Sequence, residues 1–149
     1  MCFSSKIFFK YLYLWIIGGA IYYSLEVIWR GHSHWTMIFL GGICFICIGL
    51  LNEFLSWDTP LWKQMLFGMC IILILEFITG CIVNLWLKMD VWDYSNLPSF
   101  LHILGQVCLP FAIVWFFISG IAIVLDDYVR YIFFDEEKPH YKIFKKSAC

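Results

Sequence analysis

Apolar residues fill four long stretches of the chain, and short segments that are charged or contain Gly or Pro separate them. The stretches cover residues 7–28, 36–55, 62–87 and 99–125. A helix needs about 20 mainly apolar residues to cross the hydrocarbon core of a bilayer. The pattern therefore predicts an all-α polytopic membrane protein: a bundle of four transmembrane helices, followed by a charged cytoplasmic tail over residues 126–149.

The tryptophans support this number of helices. Most of them lie beside the predicted breaks, where an amphipathic ring favours the headgroup region of the bilayer; they are Trp29, Trp35, Trp57, Trp62, Trp86 and Trp92. The first stretch has basic residues before an apolar run, as a secretory signal does. Because the run continues to Ile28, we interpret it as a retained helix.

The basic residues predict the orientation of the bundle. With four spans, the N-terminus, the second loop and the tail share one side of the membrane. Eight Lys and Arg residues lie on that side, namely Lys6, Lys10, Lys63, Arg130, Lys138, Lys142, Lys145 and Lys146, and only Arg30 and Lys88 lie on the other. Basic residues are enriched in cytoplasmic segments. We expect both termini in the cytoplasm and the protein in the plasma membrane.

The composition makes lipid the main surroundings of the chain. Hydrophobic residues make up 62% of it and charged residues 14%, whereas a soluble domain carries about a quarter charged residues. The net charge of −1 gives no basis for nucleic-acid binding. The cysteines are odd in number and mostly lie in apolar runs, so we interpret them as small hydrophobic residues. We expect no cofactor.

Two carboxylates interrupt the apolar stretches, Glu26 in the first and Glu76 in the third. A charge at the centre of a bilayer costs at least about 2.5–3.5 kcal/mol, so such a residue usually faces a partner or a watery cavity. Steps of four residues place Glu76 on one helix face with small and polar residues; they are Gly68, Ile72, Gly80 and Asn84, with Thr79 beside them.

Comparable faces are predicted on the other three helices. They carry Gly19, Tyr22, Tyr23 and Glu26 on the first, Gly41, Phe45, Gly49 and Asn52 on the second, and His102, Gln106 and Pro110 on the fourth. Pro110 is expected to kink the last helix. Small residues let helices approach closely, and polar side chains hydrogen-bond across the contact. We expect these faces to meet around a pocket that opens to the outside, with Glu76 at its deeper end.

Several motifs together resemble one known family. They are Leu75-Glu76-Phe77-Ile78-Thr79-Gly80, Trp92-Asp93-Tyr94-Ser95, and Gly105-Gln106-Val107-Cys108-Leu109 with the later Trp115. This combination resembles the CmpB-like family of small membrane proteins, described as ABC-transporter type IV. The resemblance covers most of the chain and implies a transport function. The second helix departs from the family pattern, since residues 41–47 lack its prolines and tyrosine.

These observations predict a small transporter or permease-like subunit that binds a cation or a polar solute at intramembrane carboxylates. The candidate binding residues are Glu26, Glu76, Thr79, Asn84, Asp93, Tyr94, His102 and Gln106. Four helices enclose little volume, so we expect a homo-oligomer or a partner membrane subunit. The chain has no Gly-x-x-x-x-Gly-Lys-Ser/Thr motif of an ATPase.

Two alternatives remain open at the level of sequence. The first is a non-transporting sensor, ligand-binding or scaffold subunit, whose tail recruits a cytoplasmic partner. The second is an intramembrane enzyme that uses Asp93, His102 and the two glutamates as acid–base or metal groups. The sequence has no HExxH motif or similarly dense set of ligands, so no metal is assigned and we expect no enzymatic activity.

Overall fold

The computed structural model describes residues 2–144, and the side chains of residues 5–144. Its helices are α1 (Cys2–Arg30), α2 (Thr36–Gly49), the short α3 (Leu51–Phe54), α4 (Leu61–Gly80) and α5 (Leu109–Phe134); a π-helical turn, Cys81–Trp86, continues α4, and the strands β1 (His102–Ile103) and β2 (Val107–Cys108) form an antiparallel hairpin.

In the part of the chain that the structure describes, four helical segments are long and apolar enough to cross a membrane. They are Ser5–Arg30, Thr36–Phe54, Leu61–Trp86 and Leu109–Phe134. This confirms the predicted number of transmembrane helices. The surface of these segments is rich in exposed large apolar side chains, such as Phe8, Phe117 and Ile121, as expected for residues that face lipid.

The predicted start of the fourth helix is wrong. Residues 99–108 form a loop and the hairpin, and the helix begins at Leu109. Leu104 and Gly105 have positive φ angles of 50° and 69°, which turn the chain between the strands. Pro110 lies in the first turn of α5, where its missing N–H costs nothing, so it begins the helix instead of kinking it. His102 and Gln106 therefore lie in the hairpin, not on a helix face.

The end of the fourth helix also differs from the prediction. It runs nine residues past Leu125 and ends at Phe134. The next residue, Asp135, has a left-handed φ of 53° and caps the helix. Asp126, Asp127 and Arg130, which were expected in the tail, are thus buried helical residues. Two lysines of the predicted tail, Lys145 and Lys146, lie outside the described residues. The cytoplasmic location of this end of the chain stays a prediction.

The helices pack as two pairs, α1 with α2 and α4 with α5, and α2 also contacts the second pair. Glycines allow the close approach within each pair. A Cβ atom at Gly68 would lie 2.8 Å from the Cβ of Ser119, and the Ser119 hydroxyl donates to the carbonyl of Met65 at 2.8 Å. Lipid provides no hydrophobic driving force for helix association, so the close van der Waals packing that small residues allow helps to hold these helices together.

The two ends of the bundle are built differently. We call the end that carries residues 31–35 and 87–108 the loop side, and the end that carries residues 55–60 and the first and last described residues the termini side. On the termini side, residues 135–144 fold back over the α3–α4 loop. The amide of Leu61 donates to the carbonyl of Lys142 at 2.8 Å, and the Lys142 ammonium pairs with Asp58.

Candidate functional site

The polar face of α4 is buried along its whole length. All five residues of the predicted stripe are buried; they are Gly68, Ile72, Glu76, Gly80 and Asn84. Thr79, beside the stripe, is half-buried. The spacing of small and polar residues therefore predicted correctly which face of this helix lies inside the bundle.

Three helices meet at the Glu76 carboxylate, whose residue is only 3% exposed. The Tyr22 hydroxyl of α1 donates to Oε1 at 3.0 Å, and the Trp115 indole N–H of α5 donates to Oε2 at 3.0 Å. The rings of Tyr22 and Trp115 stack with centroids 5.3 Å apart and planes 19° from parallel. Both donors are neutral, and among the described residues Glu76 forms no ion pair.

A cavity of about 570 Å³ extends from Glu76 toward the loop side, between α1, α5 and the loop that follows α4. Its wall is mainly apolar. Six aromatic side chains contribute to it, namely Tyr22, Trp29, Trp92, Tyr94, Phe111 and Trp115, together with the aliphatic Leu25, Val114 and Ile118. The rings of Tyr94 and Phe111 stack at 5.2 Å. The cavity is thus an aromatic pocket with one carboxylate at its inner end.

The cavity also carries three charged residues nearer the loop side: Glu26, Arg30 and Asp93. Arg30 Nη2 donates to Glu26 Oε2 at 3.1 Å, and the Ser33 hydroxyl donates to the same oxygen at 2.8 Å. Arg30 Nη1 donates to the carbonyl of Val91 at 3.1 Å, which ties α1 to the loop. Glu26 therefore has its own cation, whereas the part of the chain that the structure describes offers none to Glu76.

Asp93 lies at the exposed rim of this cavity. The hydroxyl of Ser95 donates to Oδ2 at 2.6 Å and its amide donates to Oδ1 at 2.8 Å. These hydrogen bonds from Ser95 lower the pKa of Asp93 below its ordinary value, because they stabilise the ionised form. Asp93 is therefore negatively charged at neutral pH and adds to the negative potential at the entrance.

Asn84 and Gln106 hold the loop against the end of α4. Asn84 Nδ2 donates to Gln106 Oε1 at 2.8 Å, and Asn84 Oδ1 accepts from the Val91 amide at 2.7 Å. The Trp92 indole N–H donates to the Gln106 carbonyl at 2.9 Å. Both amide side chains are buried. Their contacts fix Trp92, which forms one wall of the cavity.

The eight candidate binding residues therefore fall into two groups. Glu26, Glu76, Asp93 and Tyr94 line the cavity, and Thr79, Asn84, His102 and Gln106 do not. His102 Nδ1 accepts a hydrogen bond from the Gly105 amide at 3.0 Å, which stabilises the turn of the hairpin. The structure thus brings half of the predicted set together, and the binding roles of all eight stay predictions.

The candidate set left out several residues of the cavity, among them Trp115 and Arg30, which hydrogen-bond to Glu76 and Glu26. Each had a signal in the sequence. Trp115 lies deep in an apolar stretch, away from the interfaces that six of the other tryptophans occupy, and a buried indole N–H needs an acceptor. Arg30 follows Glu26 by four residues, the spacing of ion pairs on a helix face.

A second set of polar residues lies on the termini side, and we call it the basal cluster: Asn52, Glu53, Asp126, Asp127, Arg130, Glu136 and Tyr141. Arg130 Nε donates to Asp126 Oδ2 at 2.6 Å, and Arg130 Nη1 lies 3.4 Å from Glu53 Oε1. Asn52 and Tyr141 both donate to Asp127. The cluster borders a smaller cavity of about 150 Å³.

Neither set of polar residues has the geometry of a metal site. Within residues 2–144, no group of three or more His, Cys, Asp or Glu side chains is placed to hold a metal ion. The chemistry available at the cavity is therefore that of single carboxylates, phenol and indole hydrogen-bond donors, and aromatic faces. The carboxylates and aromatic faces recognise a cation or a hydrogen-bond donor, and the phenol and indole groups recognise a hydrogen-bond acceptor.

A family model described as "Putative ABC-transporter type IV" matches residues 7–144 of the chain. The chain belongs to this family. CmpB-type membership, together with four apolar helices, makes the chain a membrane protein of transporter-like type. No curated protein and no solved structure matches the chain. The CmpB family match covers every residue of the cavity and of the basal cluster.

Proposed function

We propose that this CmpB-type protein is a small permease-like membrane subunit that binds a cationic solute at Glu76. The observation that carries the proposal is Glu76 itself, which is 3% exposed, lies at the inner end of a cavity, and among residues 5–144 is bonded only to the neutral donors Tyr22 and Trp115. A buried charge without a counterion is strongly destabilising. Glu76 thus requires either a proton or a cation from outside the chain, and these two exchange at one site.

The charges around the entrance favour a cation over an anion. Glu26 and Arg30 offset each other in an ion pair, so Glu76 and Asp93 give the cavity a negative balance. A cleft lined by one sign of charge concentrates ligands of the opposite sign. The Glu26–Arg30 pair would act at the entrance, and Glu76 would be the inner binding group.

Movement of the solute past Glu76 requires α1 to shift against α5. The inner end of the cavity is closed by the stacked rings of Tyr22 and Trp115, which belong to these two helices. We expect that a second copy of the chain or a partner membrane subunit stabilises the shifted arrangement. We further propose that the protein lies in the plasma membrane with both termini on the cytoplasmic side. The cavity then opens to the outside.

The test is uptake of labelled methylammonium and of rubidium ion by vesicles that contain the purified protein. Glu76→Gln keeps the size of the side chain, but it removes the charge and replaces one acceptor oxygen by an NH2 donor, so uptake of the transported cation should fall at least tenfold. Asp90→Asn, on the exposed loop after α4, is the matched control and should leave uptake unchanged. Full uptake by Glu76→Gln would show that the carboxylate is not the binding group.

A second candidate function is a ligand-binding sensor, and the fold of residues 135–144 favours it. This segment is fastened to the α3–α4 loop by the Leu61–Lys142 backbone bond and by the Lys142–Asp58 pair, so it could report a change in the bundle. Truncation after Phe134 should then preserve cation binding and abolish recruitment of a cytoplasmic partner. Loss of cation binding in the truncated protein would contradict the sensor.

A further inference from the structure

The inner end of the cavity offers few oxygen atoms to a bare metal cation. Hard cations such as Ca²⁺ take six to eight oxygen ligands, and Mg²⁺ requires an octahedron. At Glu76 the described residues supply two carboxylate oxygens and the Tyr22 hydroxyl, whose proton is already donated to Oε1. Trp115 supplies only an N–H. An ammonium group needs far less, because its N–H bonds can be satisfied by a carboxylate and by aromatic faces.

The wall of the cavity suits the rest of an organic cation. A cation within about 6 Å of an aromatic face is attracted to it, and six aromatic side chains line the cavity that ends at Glu76. Pockets for small organic ligands measure about 300–1,000 Å³, and this one measures about 570 Å³. A ligand with only an ammonium group would leave most of this apolar space unfilled.

The cavity reaches the lipid-facing surface between α1 and α5. Leu25 of α1 and Val114 of α5 both line it, yet they are 39% and 43% exposed. Beyond Tyr22 and Trp115, a smaller cavity of about 50 Å³ with an almost entirely apolar lining continues along α1 and α5 and is also bordered by α2 and α4. An apolar group could therefore enter from the bilayer, or remain partly in it, while a polar group reaches Glu76.

We infer that the cavity binds an amphiphilic organic monoamine, whose ammonium group pairs with Glu76 and whose apolar body lies among the aromatic side chains between α1 and α5. This rests on the proposed binding of a cation at Glu76 and names its chemical class. A single amine is favoured over a polyamine because Glu26 is already paired with Arg30, and Asp93 lies at the exposed rim and accepts two hydrogen bonds from Ser95, so that among the described residues Glu76 is the one carboxylate at the inner end that lacks a cation.

Calorimetric titration of the full chain in lipid nanodiscs tests the inference, with empty nanodiscs subtracted. The probes are phenethylamine, its neutral analogue phenethyl alcohol, methylammonium and potassium ion. Phenethylamine should bind at least tenfold more tightly than each of the other three. Its binding should be lost in Glu76→Gln, since an amide cannot neutralise the ammonium.

Filling the apolar part of the cavity tests the second half of the inference. Val114→Trp should weaken phenethylamine binding at least tenfold, whereas Ile113→Trp, at the adjacent lipid-exposed position of α5, should not. Leu25→Trp is a second filling variant from the opposite wall. Variants are compared only if their unfolding temperatures match that of the natural chain, and one filling variant is enough to decide.

The outcomes separate this inference from the proposed function. If methylammonium or potassium binds as tightly as phenethylamine and this binding still depends on Glu76, the preference for an amphiphilic amine is wrong, but the proposed cation binding at Glu76 stands. If phenethyl alcohol binds as tightly, the charge of the ligand is not recognised and the amine is again wrong. If no cation shows Glu76-dependent binding, both proposals fail.

Discussion

Glu76 and Asp126 are both deeply buried acids in transmembrane helices, but their partners differ. Asp126 is fully buried and accepts a charge-assisted hydrogen bond of 2.6 Å from Arg130. Glu76 is 3% exposed and has only a phenol and an indole as partners. An acid that is paired within the chain contributes to the fold. An acid without a counterion, at the end of a cavity, is free to take its cation from a ligand.

The largest effect that this difference predicts is on stability. Arg130→Met leaves Asp126 buried without its cation, which should cost about 3–5 kcal/mol of unfolding free energy. Glu76→Gln leaves one of the two donors without an acceptor, which costs about 1–3 kcal/mol, but it also removes a buried charge that lacks a counterion, so the net loss of unfolding free energy should be clearly smaller than for Arg130→Met. Unfolding in mild detergent, followed by circular dichroism, measures both.

A double variant controls this experiment. Arg130→Met combined with Asp126→Leu replaces the pair by apolar side chains and should recover most of the lost stability, since exchanging a buried pair for hydrophobic residues is often neutral. If Glu76→Gln destabilises the protein as much as Arg130→Met does, the contrast between a structural and a binding carboxylate is wrong.

The next effect concerns the contact that fixes the cavity wall. A Cβ atom at Gly80 would lie 2.5 Å from Gln106 Oε1 and 3.0 Å from Trp92 Cζ2. Gly80→Ala should therefore displace the hairpin and cost about 1–3 kcal/mol. At Gly120 the Cβ would meet only the flexible end of Met65, 3.0 Å away, so Gly120→Ala should cost less. Equal losses in thermal unfolding would contradict this account of the loop.

A smaller effect is expected at the donors of Glu76. Tyr22→Phe removes the hydroxyl that joins α1 to α4 and should cost about 1–2 kcal/mol of unfolding free energy. Tyr23→Phe is the matched control, because the Tyr23 hydroxyl forms no hydrogen bond among the described residues. If the two variants are equally stable, the Tyr22–Glu76 bond does not hold the helices together.

The sequence predicted the parts of this fold that depend on hydrophobicity and helical spacing. The four spans and the buried face around Glu76 follow from these patterns, because lipid forces polar groups inward. The start of α5 did not follow. Residues 99–108 are apolar enough to pass as a helix, and only the turn at Gly105 and the helix-initiating position of Pro110 indicate otherwise.

The pairing of side chains from distant segments was also beyond the reach of the sequence. The sequence predicts Arg130 and Asp126 in the charged tail, because charged residues normally mark the end of a transmembrane stretch. Their spacing of four residues predicts a pair, but not that it is buried. Which acid lacks a counterion depends on contacts between helices, such as Trp115 with Glu76, and no local pattern encodes these.

The smallest effect is expected at the surface pair that fastens the chain end to the α3–α4 loop. Lys142 donates a hydrogen bond to Asp58 and so lowers the pKa of this exposed carboxyl from its ordinary value of 3.8. A lowered pKa means that the pair is intact above about pH 4 and is lost as the pH falls through the lowered value. Protection of the Leu61 amide, which donates to the Lys142 carbonyl, should thus be equal at pH 5 and pH 7.5.

Asp58→Asn should speed hydrogen exchange of the Leu61 amide about two- to fivefold, as for an exposed ion pair. The control variant Asp90→Asn should not change this exchange. Equal exchange in both variants would mean that the backbone bond alone holds this segment.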